Sequence, residues 1–299
     1  MKQLLFVYNP KAGRQRAKTM LSDVLTVFAQ EGYQITVRPT LGPGDATQVV
    51  ADTAAHYDRV VCCGGDGTLN ETVGGLLSLP REERPVLGYI PAGTTNDFSR
   101  NINLPRSTQE LARVACGGVP RSIDVGDLGG RQFLYIAAFG LFTDVSYSTP
   151  QASKNLLGHL AYVLQGAGRL VNFPSYQVKV TTDQGLEVEG EFIYGMVSNT
   201  VSIGGMVNLP RDLVCLDDGQ FEALLIRTPK TAKDWQSILT ALTTQKLPED
   251  GSVVGFTCSQ AHFTSPKPLA WTVDGEFGGD YTDLTISNRS RVLTIACGN

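Results

Sequence analysis

A glycine-rich turn carries the first residues that could do chemistry. The turn, Gly64-Gly65-Asp66-Gly67-Thr68, directly follows the apolar run 60–63 and directly precedes residues 69–73, which have helical spacing. Three glycines in four residues let the backbone approach a bulky ligand, and a helix N-terminus offers N–H groups that suit phosphate. A carboxylate such as that of Asp66 repels phosphate unless a divalent cation lies between them. The turn therefore indicates a site for a metal-bound nucleotide.

The alternative interpretation of Asp66-Gly67 is a tight hairpin turn between two strands. The helical pattern that follows argues against a second strand. Thr68 and Glu71 have the spacing of a capping box, which predicts that a helix begins at the turn itself. The turn has neither a Gly-Lys-Ser/Thr ending nor the spacing G-x-G-x-x-G, so it belongs to another class of phosphate loop.

Two further strand–turn–helix units flank this turn in the sequence. The first has a strand at 3–8 and a turn at 9–13, and the third has a strand at 86–90 and a turn at 91–100; another strand, 34–38, ends at Pro39-Thr40. Alternating strands and helices over the first 125 residues predict a parallel sheet with helices on both faces and ligand-binding loops at the carboxyl ends of its strands. A cleft for an unrelated small molecule is the alternative.

The second half of the chain changes character after residue 125, and strand patterns dominate from there. Their spacing predicts an antiparallel β-sandwich. The predicted strands are 133–142, 176–182, 187–198, 220–226, 252–258, 269–273 and 281–287, with a hairpin turn at 183–185. Two helical stripes, 156–170 and 235–242, are typical of core helices, and the first could instead form a lipid-facing wall.

Two acidic turns in this half could carry chemistry. Asp274-Gly275-Glu276 follows a strand, and phosphoryl transfer to an alcohol needs a positioned base for the hydroxyl proton. An exposed acidic hairpin is the alternative. The turn 215–220 offers acid and backbone oxygens to a hard cation, and an ordinary Asp-Asp-Gly turn is the alternative there.

Three segments, 9–13, 64–71 and 91–100, resemble the nucleotide-side motifs of the bacterial diacylglycerol kinase and lipid kinase family, which is related to sphingosine kinases and NAD kinases. The glycine-aspartate loop is also found in NAD kinases and phosphofructokinases, whereas residues 93–100 are similar to the lipid-kinase form. The resemblance implies an NAD kinase/diacylglycerol kinase-like α/β domain followed by the β-rich domain.

The activity implied by the resemblance is an ATP-dependent, Mg²⁺-requiring kinase that phosphorylates the hydroxyl of a membrane lipid, foremost diacylglycerol to phosphatidic acid. The resemblance extends to phosphatidylglycerol and sphingoid alcohols, and the sequence leaves the lipid acceptor open. One alternative is a kinase for a soluble acceptor such as NAD. Another is a nucleotide-binding regulator without catalysis, although the intact Glu276 counts against it.

The resemblance also implies roles for individual residues. Glu276 is expected to accept the proton of the lipid hydroxyl, which enters an interdomain cleft, with Asp274 assisting or orienting it. Magnesium is expected on the Asp218 carboxylate and the main-chain oxygens of Cys215 and Gln220, coupled through water to Asp66. The expected nucleotide contacts are Asn9, Pro10, Lys11, Ala12, Gly13, Thr40, Gly64, Gly65, Asp66, Gly67, Thr68, Leu69, Asn70, Glu71, Thr94, Asn96 and Asp97.

Length and composition fit two domains. The chain has 299 residues, of which 42% are hydrophobic, enough for two ordinary cores. The predicted domains are 1–125, which binds nucleotide, and 126–299, which binds lipid and carries the base, with the last strand returning to the first domain. The six cysteines show no C-x-x-C spacing and are expected to be buried thiols, and no chemistry is assigned to the three histidines.

Net charge and hydropathy limit the classes of partner that the chain can bind. A net charge of −4 disfavours nucleic acid as a partner. Because no targeting signal or membrane span is apparent, we expect a cytoplasmic enzyme in transient contact with a membrane. Basic residues that could make this contact, or simply form a solvated face, are Lys11, Arg14, Arg16, Lys18 and Arg100. The sequence leaves open whether the chain forms a homodimer.

Overall fold

The computed structural model describes residues 1–141, 174–199, 202–203, 207–208, 215–244 and 246–298. The chain divides into two compact units. Unit 1 comprises Met1–Val125 together with Ser290–Asn299, and unit 2 comprises Gly126–Arg289.

Strands and helices alternate through unit 1. In chain order they are β1 (Lys2–Tyr8), α1 (Arg16–Gln30), β2 (Tyr33–Pro39), α2 (Asp45–Thr53), β3 (Arg59–Gly64), α3 (Asp66–Leu77), β4 (Val86–Pro91), α4 (Thr108–Gly117) and β5 (Val119–Leu128), which continues into unit 2. Short 3-10 helices cover Ala12–Gln15, Ala54–His56, Arg81–Glu83 and Asp97–Asn101.

The sheet of unit 1 has the order β4-β3-β1-β2, and each of these neighbouring pairs is parallel. The last strand of the chain adds to it beside β4, where Ile295 aligns in parallel with Leu87. Leu4, Leu5, Phe6 and Val7 of β1 are all buried, as expected for a strand covered on both faces.

Helices α1 and α4 cover one face of this sheet. Met20, Val24 and Phe28 of α1 are buried at helical spacing, and the ring of Phe28 meets that of Phe6 edge to face at 5.5 Å between centroids. Because the helices hold the strands in place, the loops that follow β1, β3 and β4 begin from one rigid sheet edge.

Unit 2 is built mainly from antiparallel strands. They are β6 (Arg131–Phe133), β7 (Ile136–Gly140), β8 (Tyr176–Thr182), β9 (Glu187–Ser198), β10 (Ser202–Ile203), β11 (Val207–Asn208), β12 (Phe221–Arg227), β13 (Val253–Cys258), β14 (Gln260–Val273) and β15 (Glu276–Cys297), which runs on into unit 1. One helix, α5 (Ala232–Thr244), lies among the described residues of this unit.

The strand pairings of unit 2 close on themselves. Strand β7 pairs with β9 and β14, and β8 pairs with the same two strands, so the four form a ring. Strand β12 pairs with β9 and β13, and β14 forms a hairpin with β15. The expectation of antiparallel strands is confirmed, but these strands share one connected sheet, because the long β9 and β14 each pair with β7 and with β8.

A single strand over 133–142 was expected, and this is wrong for the described part. The strand is interrupted at Leu134 and Tyr135, which lie between β6 and β7. Their N–H groups donate to the Asp274 carboxylate instead of to a neighbouring strand. Hydrophobicity alone does not distinguish such a break from a buried strand.

Of the two helical stripes predicted in this half, one lies within the described residues. The stripe at 235–242 forms α5, whose Trp235, Ile238 and Ala241 are buried against the sheet. The stripe at 156–170 lies outside the described residues. Among the described helices, none combines the length and apolar character needed to cross a membrane.

We predict that Trp271→Ala destabilises unit 2 strongly. Trp271 is fully buried in β14, with its ring 5.0 Å from those of Phe139 and Phe263 between centroids. Removing a buried aromatic ring of this size costs about 3–5 kcal/mol. Urea denaturation followed by circular dichroism measures the loss, and Phe277→Ala, at a position 55% exposed, is the matched control. Equal stability of the two variants would contradict the packing described here.

Candidate active site

The loops after β1, β3 and β4 are joined by hydrogen bonds. Asn9 N–H donates to Cys63 O at 2.9 Å, and its side-chain Nδ2 donates to Thr68 Oγ1 at 3.2 Å. Ala92 N–H donates to Gly64 O at 2.8 Å. The three predicted nucleotide loops therefore form one cluster at the sheet edge.

Glycines let these loops approach one another closely. A Cβ atom added to Gly93 would lie 2.5 Å from Gly65 Cα, and one added to Gly13 would lie 2.0 Å from Ala92 O. Both separations are too short for a real side chain. The first loop therefore needs glycine at position 13 to approach the third loop, and the third loop needs glycine at position 93 to approach the second.

Asp66 ties the second loop to the third. It is the first residue of α3, and its carboxylate accepts the N–H of Asp97 at 3.1 Å and that of Phe98 at 3.3 Å. Burial raises the pKa of Asp66, while these two N–H groups lower it and the charge of Asp97 raises it. The N-terminus of α3 itself has no side-chain cap.

Asp97 is a buried acid in this cluster, beside the half-buried Asp66. Its side chain is 7% exposed, and its Oδ1 has no hydrogen-bond donor among the described residues. Burial raises the pKa of Asp97, and the nearby Arg100 lowers it. Two neighbouring carboxylates beside an uncapped helix N-terminus suit a phosphate accompanied by a cation.

Asn96 and Tyr89 shape the third loop. Asn96 has a positive φ of 52° and exchanges two 2.8 Å hydrogen bonds with the backbone of Gly93. The buried Tyr89 hydroxyl lies 3.4 Å from both Gly64 O and Asn96 Oδ1, so it links the second loop to the third. Sequence reasoning missed Tyr89, and the only signal was a phenol within an otherwise aliphatic strand.

The predicted capping box of Thr68 and Glu71 is wrong. Helix α3 begins at Asp66 with Gly65 as its N-cap, and Thr68 Oγ1 instead accepts from Asn9. The Glu71 carboxylate accepts the N–H groups of Gly44 at 2.8 Å and Ala46 at 3.3 Å, so it caps α2. The spacing matches a capping box, but the N–H groups at the start of α2 bind the Glu71 carboxylate instead of the N-terminus of α3.

The remaining predicted nucleotide residues occupy varied positions. The side chains of Leu69 and Ala12 are buried, so only their main chains face the loops. Lys11 and Thr94 are exposed, and Lys11 N–H donates to Asn9 Oδ1 at 2.9 Å. Thr40 N–H donates to Tyr8 O at 2.9 Å; Pro10, Gly67 and Asn70 are half-buried.

In unit 2, Asp274 and Gly275 form the two-residue turn between β14 and β15, with φ angles of 49° and 83°. Positive φ at both positions is what a type I′ hairpin turn requires. The Asp274 carboxylate is buried and accepts N–H groups from Leu134 at 2.8 Å, Tyr135 at 3.1 Å and Ile136 at 3.1 Å. Its oxygens are thus engaged with the backbone, which makes Asp274 a positioning residue for the turn.

Glu276 follows this turn and faces solvent. Its Oε2 lies 3.4 Å from Arg131 Nη2, and the side chains are 65% and 43% exposed, respectively. Arg131 also donates to Phe277 O at 2.6 Å, which holds the guanidinium beside the hairpin. An exposed ion pair of this kind is weak, so the Glu276 carboxylate is accessible for proton transfer.

The turn 215–220 lies just before β12. Asp218 Oδ1 accepts Gln220 N–H at 2.9 Å, and Gln220 O accepts from Asn288 Nδ2 at 3.2 Å. Cys215 is exposed, and its Sγ lies 3.1 Å from Asp217 Oδ1. No cluster of three His, Cys, Asp or Glu side chains suited to a metal occurs among the described residues. A cation here would depend on Asp218 together with main-chain oxygens, a donor set that magnesium accepts.

Comparisons with known proteins identify the family. The Diacylglycerol kinase catalytic domain family matches residues 3–128. A diacylglycerol kinase of Bacillus subtilis (strain 168) is 34% identical over 281 residues, covering 93% of this chain and 91% of the relative. The chain belongs to the diacylglycerol kinase family. A diacylglycerol kinase of Staphylococcus aureus (strain bovine RF122 / ET3-1) is 33% identical, covering 93% of this chain and 87% of that protein.

Solved structures agree with this membership. Two solved structures from Bacillus anthracis str. Sterne, both titled as candidate diacylglycerol kinases, superpose with TM-scores of 0.81 and 0.80 at 25% and 26% identity. The alignments cover 99% of this chain in both cases, and 95% and 97% of those chains. The predicted resemblance is therefore confirmed at the level of the family and of a lipid kinase enzyme.

One buried acid of unit 1 had no role in the sequence predictions. Asp124 is fully buried, and its Oδ1 accepts Arg291 N–H at 2.8 Å, which joins β5 to the returning β15. An acid in an apolar strand is the signal that could have identified it, because buried acids need partners.

We predict that the two acids of the β14–β15 turn differ sharply in their effect on stability. Asp274→Ala leaves three backbone N–H groups without their acceptor, and two of these, on Leu134 and Tyr135, are buried. Each unsatisfied buried N–H costs on the order of 1–3 kcal/mol, so the variant should lose at least about 2 kcal/mol. Glu276→Ala removes only an exposed carboxylate and should change stability by less than about 0.5 kcal/mol.

Urea denaturation of the two variants beside the wild type measures both effects. A stable Asp274→Ala variant would show that the carboxylate does not hold residues 134–136.

Proposed function

We propose that this protein transfers the γ-phosphoryl group of ATP to the hydroxyl of diacylglycerol, giving phosphatidic acid. The observation that carries the proposal is the hydrogen-bonded cluster of three loops around the uncapped N-terminus of α3, in a chain of the diacylglycerol kinase family. The relatives named above as diacylglycerol kinases support the acceptor.

The proposed nucleotide site uses unit 1. The N–H groups at the start of α3 would receive phosphate oxygens, and the exposed Lys11 would add positive charge. Asp66 and Asp97 would face the cation that accompanies the phosphates. Thr40, Thr94 and Asn96 complete the proposed contacts.

The proposed magnesium site uses the Asp218 carboxylate with the carbonyls of Cys215 and Gln220. These oxygens fit the ion, because Gln220 O accepts one bond at 3.2 Å and keeps a second lone pair. When bound, magnesium neutralises charge that develops on the phosphates.

The proposed base is Glu276. A carboxylate on a fixed hairpin can take the proton from an approaching hydroxyl as the phosphoryl group transfers. Asp274 holds the hairpin through residues 134–136, so it supports the reaction by position. The acceptor reaches the enzyme from a bilayer, and we propose a transient contact through exposed basic residues such as Lys11, Arg16, Lys18 and Arg100.

For Glu276→Gln we predict a loss of turnover of about 10²–10⁴-fold, because the amide keeps the shape and removes the base. The affinity for ATP should stay at the wild-type value. Radiolabelled transfer into diacylglycerol in mixed micelles measures turnover, and fluorescent-nucleotide binding measures affinity. Asp280→Asn, at an exposed acid of the same strand, is the matched control. Turnover at the wild-type rate would refute the assignment.

For Asp66→Ala we predict loss of magnesium-dependent activity in a protein that still folds. The substitution removes the carboxylate that organises the start of the 3-10 helix at Asp97 and faces the proposed cation. Activity across a magnesium titration and circular dichroism give the two readings, with Asp23→Asn as an exposed control on α1. Full magnesium-dependent transfer by Asp66→Ala would exclude a metal-nucleotide site at this turn.

A further inference from the structure

An arginine of β6 contacts the hairpin that carries Glu276 at two points. Arg131 Nη1 donates to the main-chain oxygen of Phe277 at 2.6 Å, and Arg131 Nη2 lies 3.4 Å from Glu276 Oε2. The two contacts use different nitrogens of one planar guanidinium group and reach two consecutive residues of β15. Because the guanidinium fork is rigid, a group held at both nitrogens has a defined direction.

The backbone that carries Arg131 is itself fixed. Strand β6 pairs with the end of β5, where Arg131 is opposite Leu128. The turn between them, Gly129-Gly130, has φ angles of 57° and 95°, and Gly130 N–H donates to Asp127 Oδ1 at 2.8 Å. This turn lies against β15, since a Cβ atom added to Gly129 would be 3.3 Å from Leu284 Cδ1. The arginine therefore reaches the β14–β15 hairpin from a rigid support.

The Glu276 side chain needs such a support. It is 65% exposed, and the buried Asp274 fixes the turn before it but not the Glu276 carboxylate itself. An exposed glutamate can adopt several staggered rotamers, and only those that aim the carboxylate at the acceptor hydroxyl allow proton transfer. The contact with Arg131 involves Oε2, and a carboxylate has a second oxygen that can accept the proton.

We propose that Arg131 is a positioning residue for the base Glu276. Its guanidinium holds the carboxylate in the orientation from which the carboxylate takes the proton of the lipid hydroxyl. Arg131 exchanges no proton, because a guanidinium group stays protonated in proteins. An exposed ion pair adds little to stability, so the effect of Arg131 is expected on the rate. This inference rests on the proposed function, in which Glu276 is the base.

Two other roles for Arg131 give different experimental results. One is an ordinary surface ion pair that has no effect on the rate. The other is a direct contact with the phosphate that is being transferred, since guanidinium groups bind phosphate well. The three roles are distinguished by replacing Arg131 and Glu276 singly and together.

The test is a double-variant cycle of Arg131→Gln, Glu276→Gln and their combination, measured by labelled transfer from ATP to diacylglycerol in mixed micelles. We expect Arg131→Gln to lower kcat by about 10-fold, because a small misplacement of a reacting group slows a reaction steeply. The KM for diacylglycerol and the affinity for ATP should stay at the wild-type values, as for an interaction made only in the transition state. In the combined variant, the replacement of Arg131 should cause no further loss, because the base that it positions is already absent.

Lys179→Gln is the matched control. It removes the cation of another exposed ion pair of unit 2, in which Lys179 Nζ lies 2.8 Å from Glu187 Oε1 and the side chains are 41% and 59% exposed. Its turnover should equal that of the wild type. Urea denaturation should give Arg131→Gln a midpoint close to that of Lys179→Gln, so that a lower rate is not a loss of folded protein. If Arg131→Gln does not fold, Arg131→Lys replaces it in the same cycle, because an ammonium group lacks the two-nitrogen fork.

Wild-type turnover in Arg131→Gln would overturn the inference and leave an ordinary ion pair. An equal loss in the presence and absence of Glu276 would also overturn it, because Arg131 would then act independently of the base. A raised KM with unchanged kcat would show that Arg131 binds substrate instead. Failure of the proposed function gives a different result: no transfer by the wild type, or full transfer by Glu276→Gln, would remove the reaction or its base, and the inference with it.

Discussion

A carboxylate taken out of water must find donors, and this constraint organises the candidate site residues within each of the two units. Asp66 meets it with the N–H groups of Asp97 and Phe98, and Asp274 meets it with three N–H groups from residues 134–136. In each case the donors belong to a segment distant in sequence. Satisfying the half-buried Asp66 or the buried Asp274 therefore fixes the position of a loop that local interactions would leave unspecified.

The degree of burial assigns different roles to acids that look alike in the sequence. Asp274 is buried with its oxygens engaged by the backbone, whereas Glu276, two residues later, is exposed beside Arg131. The first holds the hairpin and the second is accessible to a reacting proton. In unit 1, Asp66 anchors the third loop while Asp97 keeps one oxygen without a donor among the described residues. This division suits phosphoryl transfer, in which placement and charge neutralisation do most of the work.

Much of the fold and the family could be predicted because the relevant signals are local. Apolar runs ended by glycine turns located β1, β3 and β4, and the hairpin at 183–185 follows from its turn residues, as Gly185 N–H donates to Thr182 O at 3.0 Å. The motif at 93–100 led to the family, which the relatives confirm. What failed depends on partners far away. Glu71 caps α2 instead of its own helix, and the irregular segment at Leu134–Tyr135 is held by the distant Asp274. Tyr89 gave no motif, since its importance comes from Gly64 and Asn96 on two different loops.

Phosphate transfer by the wild-type chain tests the central claim most directly. The chain is incubated with γ-labelled ATP and magnesium, once with diacylglycerol in mixed micelles and once with NAD, and the products are separated. The account predicts labelled phosphatidic acid from diacylglycerol and no labelled dinucleotide from NAD. Label in the dinucleotide, or in neither acceptor, would contradict it.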